Sequence, residues 1–436
     1  TDSPRRLFFH YLGPTIGSSM VTSIYILADT IMVGQGVGDA GLAALTIFMP
    51  IVASFFALGL LLGVGGGVLM SVAKGSGNES LAHKYFSTAM ISAAVVSVCF
   101  AVFGAIFFDQ MMYALGADTT NIELVRGYGL CYTVSAPLFI FSSSLQSFIR
   151  NDKSPRHAMI AVLTGSGLNI LLDYLFIFVF KMGMFGASFA TSIGTSITVC
   201  ILVIHFFTKK NTMRFSFRFF SIKALWEIAK CGFSSFLIEC ANAFVFNHTL
   251  LKYIGSVGVT VYSIMSNVAV VCMSLFNGVT LAAQPIIATN HGADNHKRVL
   301  QVRHIGTITS SVIAVIIFCV GFFFPDLLIY SYVKGPTPEI LELARYALRI
   351  YFFAYLFMNF NIFFSGYFQS TLRPVAAITI QILRSLLLSS VLVSVLPMIF
   401  GADAIWYAVP VTECITFFVA MAFLFFGRFQ KTKEVK

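Results

Sequence analysis

Four acidic side chains lie inside long apolar stretches of this sequence, namely Asp29, Asp173, Glu239 and Glu413. Asp29 stands in YILADTIMVG, and no other acidic or basic side chain occurs between Tyr11 and Val33. An unpaired carboxylate in apolar surroundings either loses much of its hydration free energy or takes up a proton. Binding of a cation or a proton is therefore the chemistry that Asp29 suggests.

A polar neighbour one helical turn away accompanies the second acid. Asn169 precedes Asp173 by four residues in GSGLNILLDYLF, so both side chains share one helix face. A rise of about 1.5 Å per residue puts Asp29, Asp173, Thr191 and Tyr128 roughly 8–11 Å from the same end of their segments. Such a layer of oxygen ligands suits Na⁺, and the carboxylate pair can share a proton instead. The amide and the hydroxyls are also compatible with simple interhelical hydrogen bonds.

The second half of the chain carries a different set of ionisable groups. Glu239, Arg384 and Glu413 each fall near the middle of an apolar segment. A Glu–Arg–Glu cluster would satisfy the otherwise costly Arg384. Two interpretations remain open here: a structural ion pair between Arg384 and Glu413, and a substrate site or second cation site that includes Glu239.

Composition identifies the elements that must position these groups. Hydrophobic residues make up 58% of the chain, charged residues only 11%, and the mean hydropathy is +0.87. Soluble domains carry about 25% charged residues. The apolar runs are about 20 residues long and lack period-two alternation, which predicts membrane-spanning helices and not a barrel. The net charge of +10 does not indicate nucleic acid, because the basic residues follow a membrane pattern.

The apolar runs predict an all-α polytopic membrane protein with twelve transmembrane helices. The predicted spans are 9–33, 42–70, 84–112, 121–148, 157–180, 184–208, 226–251, 259–288, 299–324, 340–367, 374–398 and 403–427. Of the 28 Lys and Arg residues, 21 fall in the connections on one side, six fall on the other, and Arg384 is intramembrane. The positive-inside rule then predicts that both termini are cytoplasmic.

The two halves of the chain resemble each other at an offset close to half the chain length. VGDAGLAALTIFMPI (Val37–Ile51) aligns with IGSVGVTVYSIMSNV (Ile254–Val268). Six spans per half give the halves the same orientation, with a pseudo-twofold axis along the membrane normal. This predicts an N-lobe over 1–208, a cytoplasmic linker over 209–225 and a C-lobe over 226–436. Transporters commonly use such halves around a central cavity.

Several motifs, taken in order, resemble the multidrug and toxic compound extrusion (MATE) family, in its DinF-like or MepA-like branch. They are ADTIMVG, NILLDYLFIF, GASFAT and QPIIATNHGADNHKRV. The resemblance covers nearly the whole chain. It implies a V-shaped, two-lobe antiporter that exports amphipathic, often cationic, small molecules in exchange for Na⁺ or H⁺. It also implies that the protein is not an enzyme and has no cofactor beyond the coupling ion.

The resemblance assigns expected roles to single residues. The residues that form the cation site of DinF-like members match Asp29, Asn169, Asp173 and Thr191 of this sequence. These four residues are therefore the candidate Na⁺ ligands. An associated tyrosine matches Tyr128, and Pro14 matches a proline at which span 1 has been proposed to bend. Members of the NorM branch use an acid in span 7, where Glu239 falls. The choice between the two lobes, and between Na⁺ and H⁺, therefore stays open.

Two alternative functions remain at this point. A lipid-linked saccharide flippase of the same superfamily would need several basic residues in its cavity, and only Arg384 is expected at depth. A dedicated natural-product exporter would show the same sequence pattern. In each case we expect a monomeric, multi-pass protein of the plasma (inner) membrane. Its expected partners are a small molecule and the lipid bilayer, with no nucleic acid.

Overall fold

The computed structural model describes the backbone of residues 3–244, 247–332 and 337–433, and their side chains except at 238–256, 259 and 426–433. The described residues are helical and contain no strand. The helices of the first half are α1 (Pro4–Gly36), α2 (Asp39–Gly75), α3 (Glu79–Ile106), α4 (Phe108–Ala114), α5 (Ile122–Val134), α6 (Ala136–Asn151), α7 (Pro155–Asp173) and α8 (Gly183–Ile204). Those of the second half are α9 (Ile222–Phe244), α10 (Asn247–Gly292), α11 (His296–Phe323), α12 (Pro325–Tyr332), α13 (Pro338–Ser370), α14 (Pro374–Ile382), α15 (Leu388–Phe400) and α16 (Ala408–Lys433).

Short π-helical and 3₁₀ segments join or extend some of these helices. The π-helical segments are Tyr174–Val179, directly after α7, and Leu383–Leu387, between α14 and α15. The 3₁₀ segments are His205–Phe207, Phe217–Phe219 and Ala402–Tyr407. The stretch between α8 and α9 therefore has no long helix between residues 208 and 221. It separates the two halves of the chain in the region where the sequence predicts a linker.

The prediction of an all-α polytopic membrane protein is confirmed. Within the described residues, ten helices are long and apolar enough to cross a membrane. The α5–α6 pair, bent by 52°, adds an eleventh if it counts as one span. The predicted seventh span, 226–251, falls partly outside the described residues. The predicted third span is shorter than expected, because α3 ends at Ile106 and the separate helix α4 follows.

The internal repeat is visible at equivalent helix starts. The side chain of Asn78 accepts a hydrogen bond from the Leu81 backbone N–H at 3.0 Å and so caps α3. Asn295, at the equivalent position of the second half, accepts one from the Arg298 N–H at 3.2 Å and caps α11. Each cap satisfies a backbone donor that the first turn of a helix leaves free. The residues before these caps, Gly77 and Asp294, both have positive φ.

A pair of glycines brings the two halves together at one end of the bundle. We call this the basic end, because Lys74, Lys209 and Lys210 lie there. A Cβ atom added to Gly75 would overlap the carbonyl oxygen of Thr289, and one added to Gly292 would overlap that of Val72. The two contacts are equivalent in the repeat, because Gly292 corresponds to Gly75 and Thr289 to Val72. Helices α2 and α10 thus approach backbone to backbone about a local pseudo-twofold.

We call the contact that Gly75 and Gly292 form between the halves the seam. Two further close approaches extend it. Gly65 of α2 and Gly232 of α9 also meet backbone atoms of the opposite helix. Gly278 of α10 lies against the backbone of α1 at Ile16, and its carbonyl oxygen accepts a 2.7 Å hydrogen bond from the Thr15 hydroxyl. Helices α1, α2, α9 and α10 therefore form the junction of the halves.

We expect Gly292→Ala to destabilise the protein, opposite to the usual effect of this substitution. Alanine normally stabilises a helix by about 0.5–1 kcal/mol relative to glycine. Here its methyl group would overlap the carbonyl of Val72, and overpacking of this kind costs about 1–3 kcal/mol. The thermal unfolding midpoint in detergent should fall. Gly167→Ala is the matched control, because a Cβ there meets nothing within 4 Å. Equal shifts in both variants would contradict a tight seam.

Candidate cation site and central cavity

The structure brings the four predicted cation ligands to neighbouring helices. Helix α7, which carries Asn169 and Asp173, packs against both α1, which carries Asp29, and α8, which carries Thr191. All four side chains are buried, with Asp173 fully so. The Asn169 amide donates a 3.2 Å hydrogen bond to the Thr191 hydroxyl, which in turn donates to the Ala187 carbonyl at 3.0 Å. The amide and the hydroxyl are therefore held in place.

Four buried oxygen atoms in this region lack a hydrogen-bond donor among the described residues. They are Oδ1 of Asp29, Oδ1 of Asn169 and both carboxylate oxygens of Asp173. Asn169 does interact with the Asp173 carboxyl group, and Asp29 acts on it electrostatically, but neither contact meets hydrogen-bond geometry. Buried oxygens without donors are uncommon in folded proteins. An oxygen-rich, net negative set fits a hard cation such as Na⁺, or a proton shared between the two acids.

Two tyrosines complete the surroundings of the acids. Tyr128, predicted from the sequence, is buried and lies within electrostatic range of both Asp29 and Asp173. Its ring contacts Phe48 edge-on with 5.7 Å between centroids. Tyr25 lies within the same range of both acids, and sequence reasoning missed it. The signal was present, because Tyr25 precedes Asp29 by four residues and so shares its helix face, as Asn169 does with Asp173.

Pro14 lies inside α1, which continues through it without a break. A proline has no N–H for the carbonyl four residues earlier, so the helix is weakened at this turn. The next residue, Thr15, donates to carbonyls of α1 at Tyr11 and Leu12 and to Gly278 of α10. Pro14 thus lies where α1 crosses α10. Its role as a hinge stays a prediction.

In the second half the structure joins Arg384 to Glu413. The guanidinium donates to Glu413 from Nε at 3.1 Å and from Nη2 at 2.7 Å, and both side chains are buried. Asn361, which sequence reasoning missed, donates to the Glu413 carboxylate at 2.7 Å. Glu413 therefore has donors on both oxygens, unlike Asp173. The side chain of Glu239 lies outside the described residues, so its predicted place beside this pair is not described.

A central cavity of about 390 Å³ lies between the halves. Asn169 and Thr191 line it, so the candidate cation site adjoins the cavity directly. Other polar lining side chains are hydroxyls and amides from both halves, including Ser142, Gln146, Ser166, Ser274, Gln284 and Gln369. Phe56, Leu60 and Phe139 add apolar surface. A lining of this kind accommodates an amphipathic organic molecule.

One charged residue lines the cavity among those the structure describes, and it corrects the sequence analysis. The sequence predicts that only Arg384 lies at depth and that Arg150 belongs to a basic connection. Arg150 is instead 6% exposed and lines the cavity, whereas Arg384 does not line it. The reason is that α6 continues to Asn151, so Arg150 keeps a helical position in the last turn.

A buried acid at the basic end holds the stretch between the halves. Asp152 accepts hydrogen bonds from Lys74 Nζ at 2.6 Å, from His205 Nε2 at 2.9 Å and from the Thr212 backbone at 3.0 Å. Burial raises the pKa of Asp152, but the His205 hydrogen bond, the Lys74 charge and the Thr212 hydroxyl more than offset this. The pKa falls from 3.8 to about 2.

We expect Asp152→Asn to lower stability at neutral pH and to matter less in acid. The folded-state pKa of about 2 lies below the unfolded value of 3.8. The stabilisation is therefore fully present above about pH 4 and is lost as the pH falls toward 2. Its size is on the order of 1–2 kcal/mol, discounted for partial solvent screening. Unfolding midpoints of both proteins measured from neutral pH downward should converge.

The control for this substitution is Asp294→Asn, at an exposed residue of the same end whose carboxylate contacts His296 at 2.9 Å. A surface pair of this kind contributes about 0–1 kcal/mol, so little change is expected. If the unfolding midpoints of wild type and Asp152→Asn differed by the same amount at every pH, the assignment would be contradicted. Such a result would show that the charge of Asp152 does not stabilise the folded protein.

Apolar helices arranged as two repeated halves around one cavity define a polytopic membrane transporter of the two-lobe class. The MatE family model matches residues 14–175 and 233–395, which are two stretches of nearly equal length, one in each half. The chain belongs to the MatE family, as its motifs suggest. It is a transporter and not an enzyme, and transporters of this family need no cofactor.

Curated relatives and solved structures agree with this family. The multidrug export protein MepA of Staphylococcus haemolyticus is 25% identical, with 95% of this chain and 92% of that protein aligned. MepA of Staphylococcus saprophyticus is 26% identical, with 98% of this chain and 94% of that protein aligned. The outward-facing conformation of a multidrug resistance MATE family transporter superposes with a TM-score of 0.91 at 21% identity, over 99% of this chain and 97% of that one. A MOP superfamily transporter from Pyrococcus furiosus Vc1 superposes with a TM-score of 0.90 at 21% identity, over 100% of this chain and 97% of that one.

Proposed function

We propose that this protein exports amphipathic, often cationic, small molecules by antiport against Na⁺ or H⁺. The observation that carries the proposal is the group of buried oxygens on Asp29, Asn169 and Asp173 that have no donor among the described residues and lie next to the central cavity. An ion bound there can alter the shape of a cavity that shares Asn169 and Thr191 with it. The MepA relatives, named multidrug export proteins, support the substrate class.

Coupling follows from differential affinity in this scheme. The ion shifts the equilibrium between two conformations only as far as it binds one of them better. A tenfold ion gradient supplies about 1.4 kcal/mol. A membrane potential near 100 mV adds about 2.3 kcal/mol for each charge moved. Together these drive export of an organic molecule against a substantial concentration difference without ATP.

The proposal includes an orientation and a division of the chain. We assign the basic end to the cytoplasm of a plasma (inner) membrane, from the excess of Lys and Arg there. The N-lobe then comprises 1–208, the cytoplasmic linker 209–225 and the C-lobe 226–436, in a monomer. With the seam closed at the basic end, the described conformation is outward-facing. Pro14 is the proposed hinge of α1.

In the C-lobe we assign a structural role to the ion pair of Arg384 and Glu413. Both Glu413 oxygens already accept hydrogen bonds, which leaves less capacity for a cation than at Asp173. The flippase alternative is not favoured, because one cavity arginine does not match a pyrophosphate that needs several basic partners. A dedicated natural-product exporter would use the same ion site, and only its substrate range would differ.

Transport in proteoliposomes tests the proposal. Purified protein is reconstituted with a fluorescent amphiphile, and Na⁺ and H⁺ gradients are imposed one at a time. We expect one of the two gradients to drive dye movement in the opposite direction, and an ionophore that dissipates that gradient to stop it. Dye movement that is indifferent to both gradients would refute the antiport mechanism.

A further inference from the structure

Arg150 is a buried cation whose carboxylate partner is missing from the described side chains. Its Nη2 donates to the Ser147 hydroxyl at 3.0 Å, a neutral acceptor on the same helix. The acid two residues away, Asp152, is occupied by Lys74, His205 and Thr212. A buried charge normally has an ionic partner. The guanidinium therefore retains donors that face the cavity.

A second unpartnered group faces the same cavity from the other half. Gln381 of α14 is 1% exposed and lines the cavity. Neither its amide oxygen nor its amide nitrogen has a hydrogen-bond partner among the described residues. An amide that is buried, unpaired and next to a cavity indicates a ligand that accepts and donates hydrogen bonds there.

The charge of the described cavity lining is positive at the basic end. No described Asp or Glu lines the cavity, whereas Asn169 and Thr191 do. Arg150 lies level with the start of α7, whereas Asn169 lies near the other end of that helix. At a rise of about 1.5 Å per residue, the arginine and the ion site are roughly 20 Å apart along α7. A permanent cation near Arg150 would meet repulsion, and none of the described lining side chains is an acid that would compensate for it.

We propose that Arg150 binds a carboxylate of the transported molecule, so that amphiphiles with a carboxylate are favoured over pure cations of the same shape, and that Gln381 hydrogen-bonds a polar group elsewhere on that molecule. This deepens the proposed export function and rests on it. The arginine fork suits the two oxygens of a carboxylate, and such charge-assisted pairs are stronger than neutral hydrogen bonds. Gln381 lies seven residues beyond the start of α14, about 10 Å further from the basic end than Arg150, so its amide contacts a different part of the bound molecule from the other half.

A matched pair of dyes tests this proposal. A rhodamine with a free benzoate carboxylate is zwitterionic at neutral pH, and its methyl ester is a cation of nearly the same shape. Binding of each to the whole protein in detergent is measured by fluorescence polarisation. We expect the carboxylate dye to bind about tenfold more tightly, the size of one charge-assisted contact. Arg150→Gln should remove this preference, whereas Gln381→Leu should weaken the binding of both dyes to the same extent.

Arg156→Gln is the control, because it removes the same charge from an exposed position at the same end of the protein. It should leave both affinities unchanged. Gln381→Leu removes an amide that has no described partner, so it should fold even if Arg150→Gln does not. Binding of the ester as tightly as the carboxylate by the wild-type protein, or equal losses for both dyes in Arg150→Gln, overturns the proposal. Binding in detergent needs no gradient, so a failure of antiport would be seen separately in proteoliposomes.

Discussion

Replacing Asp173 by asparagine should abolish ion-driven transport while the protein still folds and inserts. Asparagine keeps the size of the side chain but cannot carry the charge that a cation or a shared proton requires. Folding should survive, because a buried carboxylate with no hydrogen-bond donor among the described side chains is a cost to the folded state. Gradient-driven dye transport in proteoliposomes should fall to the passive leak, and the unfolding midpoint should stay the same or rise.

Dye binding to Asp173→Asn in detergent should persist but lose its dependence on Na⁺ or pH. Linkage between two ligands is reciprocal, so it disappears when one of them cannot bind. Asp403→Asn is the matched control, since Asp403 is exposed at the end opposite to the basic end. A fully active Asp173→Asn protein with unchanged ion dependence would show that the site is structural, and would turn attention to Glu239.

Glu413→Gln should behave in the opposite way, with a large loss of stability. It removes the anion that satisfies the buried guanidinium of Arg384 at 2.7 Å. Breaking a buried ion pair by removing one partner costs about 3–5 kcal/mol. The unfolding midpoint in detergent should therefore drop sharply. Residual folded protein, measured at low temperature, should keep the ion dependence of dye binding.

The double variant Arg384→Met with Glu413→Leu should recover most of that stability, because neither charge is then left unpaired. Glu342→Gln, at an exposed position of α13, serves as the control for the loss of one carboxylate. If Glu413→Gln kept wild-type stability and lost ion dependence instead, Glu413 would belong to a second cation site and the structural assignment would be wrong.

The proximity of the candidate cation ligands could be anticipated from the sequence because helix length converts directly into depth. Spans of regular helix put Asp29, Asp173 and Thr191 at one level, and a four-residue spacing put Asn169 beside Asp173. The same arithmetic anticipates that Arg384 and Glu413 meet, as their 2.7 Å contact shows. Depth along a helix is a one-dimensional property, and the order of residues is enough to estimate it.

Properties that depend on helix rotation could not be read in this way. Arg150 stands in a basic run with Lys153 and Arg156, and nothing in that run distinguishes a cavity residue from exposed ones. Only the phase of α6 against its neighbours turns Arg150 inward. Contacts between distant segments were equally hidden. Lys74 and Asp152 lie far apart in the sequence, and their 2.6 Å contact depends on how α2 and α6 pack.

The glycine seam between α2 and α10 also bears on how well the closed transporter insulates the membrane. At Gly75 and Gly292 the two backbones lie too close for even a methyl group to fit between them. Backbone atoms in direct contact leave no room for a water molecule at these two points, so protons and hydrated Na⁺ have no path through the seam there. In the proposed antiport cycle, this contact would limit leakage of the driving ion while the closed state persists.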